Sequence, residues 1–215
     1  MTNKIIGIQG DKLDKINISS DTSIFLAYEA QKLGYKIFYY TPSNLSIIKN
    51  KTYANGVFVK LNYERKKFYK IYKKQKIDVE NLKFILIRQD PPFNSEYLIT
   101  TLILDNLKKT RVINNPVAIR NVSEKLYSKK FTKFMPDTIF SNNIEEVKKF
   151  YKLNKSIIMK PINGYGGNQI HLIKNKFNKK LVTNFLKKNG HSMFQKFLKN
   201  ISKGDKRVFI INGKV

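Results

Sequence analysis

Short apolar runs closed by glycine or proline recur along this chain, and between several of them apolar residues return at helical spacing. Residues 4–8 (Lys-Ile-Ile-Gly-Ile) predict a buried strand ending at Gln9-Gly10. Asp21 then caps a helix that carries Ile24, Phe25, Tyr28 and Leu33 and that Gly34 terminates. Residues 36–40 form a second strand, halted by Thr41-Pro42, which completes a βαβ unit. Residues 53–62 alternate around Asn55-Gly56 and predict a hairpin turn there; the Lys- and Tyr-rich run 64–76 predicts a solvated surface helix. Residues 84–88 are another buried strand, followed by Gln89-Asp90-Pro91-Pro92-Phe93, a rigid turn that places Arg88 and Asp90 at the strand's carboxyl end. Asn94 or Ser95 caps the next helix, and residues 111–114 make a further strand stopped by Asn115-Pro116. Alternating strands and helices predict an open, mostly parallel α/β domain over residues 1–121.

A second domain, residues 122–215, follows. Ser123 caps a helix over 124–131 that displays Lys125 in its first turn. Ser141 caps another, with Glu145 and Glu146 near its start and Lys148 and Lys149 in its last turn. The apolar run 156–159 ends in Lys160-Pro161, and three glycines within four residues (Gly164-Tyr165-Gly166-Gly167) lead to a second apolar run at 170–173. Glycines at this density let backbone N–H groups converge on one anion, and a lysine at the strand end adds a fixed charge beside them. No Gly-Lys-Ser/Thr follows, so this is not a Walker A loop, and an ordinary Gly-rich hairpin has the same local pattern. A helix over 181–188 ends at Gly190, a strand at 193–195 runs into Lys196-Phe197-Leu198, and a strand at 205–211 precedes a hairpin turn at Asn212-Gly213. His171 and His191 stand alone among apolar residues and take no role.

Composition changes this picture little. There is no cysteine, hence no disulfide and no thiolate chemistry. No apolar run reaches about 18 residues and no signal-peptide pattern opens the chain, which predicts a cytoplasmic protein without a membrane partner. The net charge of +27 suggests an anionic partner, yet only five of the 42 basic residues are Arg, the residue suited to bidentate phosphate and base reading. The lysines are spread among Asn, Ile, Phe and Tyr, residues that share A/T-rich codons, so base bias accounts for the charge and no specific nucleic acid is expected.

Four motifs in order, Arg88-Gln89-Asp90-Pro91-Pro92-Phe93, Asn121-Val122-Ser123-Glu124-Lys125-Leu126, Lys160-Pro161 with Gly164-Tyr165-Gly166-Gly167, and Gly204-Asp205-Lys206-Arg207-Val208, resemble the ATP-grasp superfamily and, within it, the prokaryotic glutathione synthetases. The resemblance implies a pre-ATP-grasp α/β domain followed by an incomplete ATP-grasp α+β domain. It implies a ligase that uses ATP with Mg²⁺ or Mn²⁺ to join γ-glutamylcysteine to glycine through an acyl phosphate, working as a homo-oligomer when full length. By the same resemblance, Lys125, Lys160 and the loop Gly164, Tyr165, Gly166, Gly167 hold the phosphates. Gln195, Lys196, Phe197 and Leu198 line the adenine beside Met159, and Asp205 lies near the ribose. Arg207 faces the reacting phosphoryl group. Arg88 and Asp90 are the substrate-side candidates, with a structural pair pinning the double-proline turn as the alternative; for Asp205 and Arg207 the alternative is a surface salt bridge.

The family's pattern continues beyond the last residue of this sequence, into a strand carrying acidic and Asn metal ligands. Asp205 is the only carboxylate after Glu146, so no metal ligands are assigned here and the metal site is expected in that further part. The sequence therefore reads as a truncated or interrupted synthetase that is silent by itself. Another carboxylate–amine ligase and an inactive nucleotide-binding fragment stand as the alternatives.

Overall fold

The computed structural model describes residues 4–63, 67–210 and 213–215. Its contacts divide the chain into two compact units, Met1–Val122 and Ser123–Val215.

The first unit runs β1 (Ile5–Gln9), α1 (Thr22–Lys32), β2 (Lys36–Tyr40), β3 (Leu45–Ile48), β4 (Lys51–Leu61), β5 (Tyr69–Asp78), β6 (Phe84–Ile87), α2 (Ser95–Asp105), β7 (Arg111–Ile113) and α3 (Pro116–Asn121). Asp21 caps α1 by accepting the Ile24 N–H at 2.7 Å, and Gly34 at φ +83 lets the chain turn into β2. Asn94, not Ser95, caps α2 through the Tyr97 N–H at 2.9 Å. The sheet order is β3-β4-β2-β1-β6-β7, with β5 paired to β4. Strands β2, β1, β6 and β7 are parallel; β3, β4 and β5 extend the sheet in antiparallel fashion. Ile6 and Ile8 of β1 are wholly buried, and a Cβ on Gly7 would stand 2.8 Å from Leu82 Cδ1, so apolar groups close on both faces of this central strand.

Two sequence expectations fail in this unit. Asn55-Gly56 is no turn: it sits inside β4, opposite Lys76 and Gln75 of β5. Gly56 is required by close packing instead, since its Cβ would stand 2.5 Å from Phe38 Cζ and 2.6 Å from the Tyr39 carbonyl oxygen. The reversal lies earlier, at Lys49 (φ 48) and Asn50 (φ 62), between β3 and β4. The helix expected over 64–76 is the edge strand β5 from Tyr69 onward; Glu64, Arg65 and Lys66 lie outside the described residues. Residues 70–76 are exposed on both faces, so the strand shows no apolar alternation, and lysines on its rim disfavour pairing with another sheet. Asn115-Pro116 not only stops β7 but starts α3, with the Asn115 side chain accepting the Ala118 N–H at 2.9 Å.

The second unit runs α4 (Glu124–Tyr127), β8 (Thr138–Ser141), α5 (Ile144–Asn154), β9 (Ile157–Pro161), β10 (His171–Ile173), α6 (Lys179–Asn189) and β11 (Ser192–Lys196). Its antiparallel sheet has the order β10-β9-β11-β8. Val147 and Phe150 of α5 and Val182, Phe185 and Leu186 of α6 bury Ile157, Met159, Ile173 and Phe194 in one core. The Ser123 side chain makes no cap bond, and α4 is a single turn continued by a 3-10 segment, Ser128–Phe134, kinked at Phe131. Asn143 caps α5 (Glu145 N–H, 2.8 Å), while Ser141 belongs to the strand and accepts the Asn143 N–H at 2.9 Å. Because α5 extends to Asn154, its last turn holds Lys152 rather than Lys148 and Lys149. Strand β8 was not expected. The strand expected at 205–211 does not form over 205–210, whose Val208, Phe209 and Ile210 are more than 60% exposed; Ile211 and Asn212 lie outside the described residues. A strand exists only where a neighbour takes its N–H and C=O groups, and 205–210 has none among the described residues.

Candidate functional site

Alternation along β9 sorts its side chains: Ile157, Met159 and Pro161 are buried, whereas Ile158 and Lys160 are half-buried on the opposite face. The pairing register sets Met193 opposite Lys160, Gln195 opposite Ile158, and Thr138 opposite Gln195 on that same face. The Lys160 ammonium donates to Gln195 Oε1 at 3.0 Å, Gln195 Nε2 donates to Thr138 Oγ1 at 2.9 Å, and Thr138 Oγ1 donates to the Pro136 carbonyl at 2.7 Å. Burial pushes the Lys160 ammonium below the ordinary lysine range, the nearby charge of Lys125 adds to this, and Glu124 opposes it.

Lys125, displayed by α4, reaches across to the glycine loop and donates to the Gly164 carbonyl and, at 3.4 Å, to that of Ile162. Two lysines, Glu124, Tyr165, Asn168 and the glycines thus line a cavity of about 160 Å³. Gly164 is held against Pro161, where a Cβ would stand 2.4 Å from Pro161 Cγ. Gly166 (φ +58) and Gly167 (φ +74) take the left-handed conformation, and among the described residues their N–H groups meet no acceptor. Unbonded N–H groups and two lysines around one cavity are an arrangement that suits an anion.

The remaining expected residues divide. Gln195 is 8% exposed and its amide is committed to Lys160 and Thr138. The Lys196 N–H is spent on the Asp137 carbonyl at 2.9 Å and that of Phe197 on the Ser156 carbonyl at 3.0 Å; the Leu198 N–H has no acceptor among the described residues. Met159 is fully buried under α5 and α6, so it cannot flank an open cleft; Ile158 and Met193 are on the other face. Asp205 and Arg207 are exposed and do not line the cavity, and neither forms an ion pair among the described residues. Thr138 went unnoticed in the sequence, because a threonine in an unremarkable strand carries no motif.

In the first unit, Arg88 follows β6 and donates to Ser23 Oγ (2.9 Å) and Thr22 Oγ1 (2.8 Å) at the start of α1. The Asp90 N–H donates to Asp11 Oδ2 at 2.8 Å. No ion pair joins Arg88 to Asp90 among the described residues; Arg88 ties the β6 end to α1. Burial raises the Asp90 carboxyl, the charges of Asp11 and Asp21 raise it further, and Arg88 opposes them. Asp11, just past the β1 end, was the residue the sequence reading missed here. Its position after Gln9-Gly10 was the available signal.

Comparison with known proteins decides the family. Residues 5–120 match the prokaryotic glutathione synthetase N-terminal domain, and residues 124–215 match the prokaryotic glutathione synthetase ATP-grasp domain. The chain belongs to the prokaryotic glutathione synthetase family. A glutathione synthetase of Buchnera aphidicola is 37% identical over 97% of this chain and 67% of its own length. One from Mesorhizobium japonicum is 36% identical over 97% of this chain and 68% of its own. The chain thus spans about two thirds of these relatives. A RimK domain ATP-grasp protein of Sphaerobacter thermophilus superposes with a TM-score of 0.56 at 10% identity, over 90% of this chain and 64% of its own, a likeness of fold alone.

Prokaryotic glutathione synthetases are by family ATP-dependent ligases, and the ATP-grasp domain implies use of ATP and a divalent metal. The phosphate side of that requirement fits the cationic loop. The metal side does not: no group of three or more His, Cys, Asp or Glu residues gathers to hold an ion among the described residues. No described helix is long and apolar enough to cross a membrane.

Proposed function

We propose that this chain carries the nucleotide-phosphate site of a glutathione synthetase, the ATP-dependent ligase of γ-glutamylcysteine and glycine. The observation that carries the reading is that Lys125, Lys160, Gly166 and Gly167 line one small cavity, and that the two glycine N–H groups meet no acceptor among the described residues. Phosphoryl transfer asks for alignment and charge neutralisation more than for covalent chemistry from the protein. Lys160 is the fixed charge. Lys125 supplies the second once it exchanges the Gly164 and Ile162 carbonyls for phosphate oxygens, and that exchange couples phosphate binding to the position of the loop. Tyr165 at the loop tip helps to exclude water from an acyl phosphate.

The adenine is assigned to the sheet face that bears Ile158 and Met193, its edge read by the Leu198 N–H with Gln195 to Phe197 flanking it. Asp205 and Arg207 would join the site only through movement of their exposed segment. Arg88 and Asp90 are assigned to the substrate side. The metal, Mg²⁺ or Mn²⁺, finds no ligand set among the described residues, and no step is routed through it. Cytoplasmic location and homo-oligomerisation belong to this reading on the family's account.

The test is a thermal-shift titration at about 150 mM salt, where diffuse electrostatic binding is weak. ADP is expected to raise the melting temperature, and a short oligonucleotide is expected to leave it unchanged. A larger shift with the oligonucleotide would replace this reading with a nucleic-acid binder.

A further inference from the structure

The chain of side chains behind Lys160 has a direction, and the direction is set at its far end. Thr138 has one hydroxyl hydrogen, and it is spent on the Pro136 carbonyl at 2.7 Å. Toward Gln195 the hydroxyl can therefore only accept. That forces the Gln195 amide to aim its NH₂ at Thr138 (2.9 Å) and its oxygen at Lys160 (3.0 Å). With the amide reversed, an NH₂ group would face an ammonium, donor against donor, and the acceptor would face a hydroxyl with no hydrogen left to give. Gln195 is 8% exposed, so water does not replace a misdirected bond cheaply. The antiparallel register holds Thr138, Gln195 and the Lys160 strand side by side on rigid backbone.

We propose that Thr138 is a positioning residue for Lys160, acting through the orientation of the Gln195 amide to hold the ammonium toward the glycine-loop cavity. The assignment rests on the nucleotide-phosphate reading above for its function, but not for its geometry. Lys125 and Glu124 are the charged groups facing Lys160, and neither is bonded to Thr138. Gln195 is hydrogen-bonded to both residues, so a change made at Thr138 reaches Lys160 through it.

The experiment uses the full chain with ¹³C-labelled lysine, the Lys160 signal being assigned by its loss in Lys160→Met. Thr138→Val removes the hydroxyl and keeps the branched shape. The Lys160 ammonium is then expected to titrate at lower pH than in the unaltered protein, and ADP affinity to fall about fivefold, as for one lost hydrogen bond. Thr138→Ser, which restores the hydroxyl, is expected to recover both. An unchanged Lys160 titration in Thr138→Val, or no recovery in Thr138→Ser, overturns the proposal. The unaltered protein gives a further reading should Thr138→Val not fold: one Gln195 Nε2 hydrogen is expected to exchange slowly, and two exchanging at solvent rates would refute the relay. If the unaltered chain does not bind ADP, the nucleotide reading falls while the Lys160 titration still decides the role of Thr138.

Discussion

Replacing Lys160 by methionine tests how the candidate site holds phosphate. Methionine keeps most of the apolar stem and deletes the ammonium, so packing changes little while the charge disappears. At an effective dielectric of about 20 and a separation of about 4 Å, one charge pair is worth at most about 4 kcal/mol. Lys160 is half-buried and close to Lys125, so a charge-assisted bond of about 1.5–3 kcal/mol is the better estimate, a loss of about 10- to 150-fold in ADP affinity. Lys125→Met should cost less, because the Lys125 ammonium gives up its bonds to Gly164 and Ile162 before it gains phosphate. Titration calorimetry compares the two. The same instrument reads the proton balance: the free Lys160 ammonium lies below its ordinary value of 10.5, and a bound phosphate raises it again. ADP binding should therefore take up protons at alkaline pH below that value, and Lys160→Met should remove the uptake. An equal or larger affinity loss in Lys125→Met, or undiminished proton uptake in Lys160→Met, refutes the geometry assigned to the two lysines.

Gly56→Ala should destabilise the first unit by about 1–3 kcal/mol, because the new methyl group meets the Phe38 ring and the Tyr39 carbonyl inside the sheet; urea unfolding that shows a change under about 0.5 kcal/mol would contradict the packing described. Glu80 accepts the N–H groups of Lys108, Lys109 and Thr110 at 2.7–2.9 Å. Burial alone would raise its carboxyl, but those bonds and the Lys109 charge hold it below the ordinary 4.5. A depressed carboxyl contributes stability above its unfolded value and loses it as pH falls through the folded one. Glu80→Gln should thus cost about 1 kcal/mol near neutral pH and progressively less in acid; denaturant midpoints that differ equally at both pH values would rule this out.

Local signals in the sequence were reliable where the cause was local. Asp21 and Asn94 cap their helices because a short side-chain oxygen reaches N–H groups three residues on, and Gly34 and Gly190 take positive φ where helices end. Asn55-Gly56 misled because a glycine needed for a turn and one needed for close packing look alike along the chain. The lysine-rich run misled because an edge strand solvated on both faces loses the alternation that marks a half-buried one.

The candidate site divides in the same way. Glycine spacing and the Lys160-Pro161 strand end were enough to locate the glycine loop that we propose holds phosphate, since the pattern is contained in a few consecutive residues. Which face of β9 packs into the core, and hence that Met159 and not Ile158 is buried there, depends on where α5 and α6 settle. Lys125 meets Gly164 across 39 positions of sequence, and Thr138 meets Gln195 across 57. No pattern within one element encodes those meetings. The sequence by itself determined the apolar strands β1, β2, β6 and β9, the caps at Asp21 and Asn94 and the glycine loop, because these follow from backbone preferences over a few residues. Only the tertiary structure decided the sheet register, and register is what sets a threonine, a glutamine and a lysine from three strands on one face, within hydrogen-bonding reach of one another.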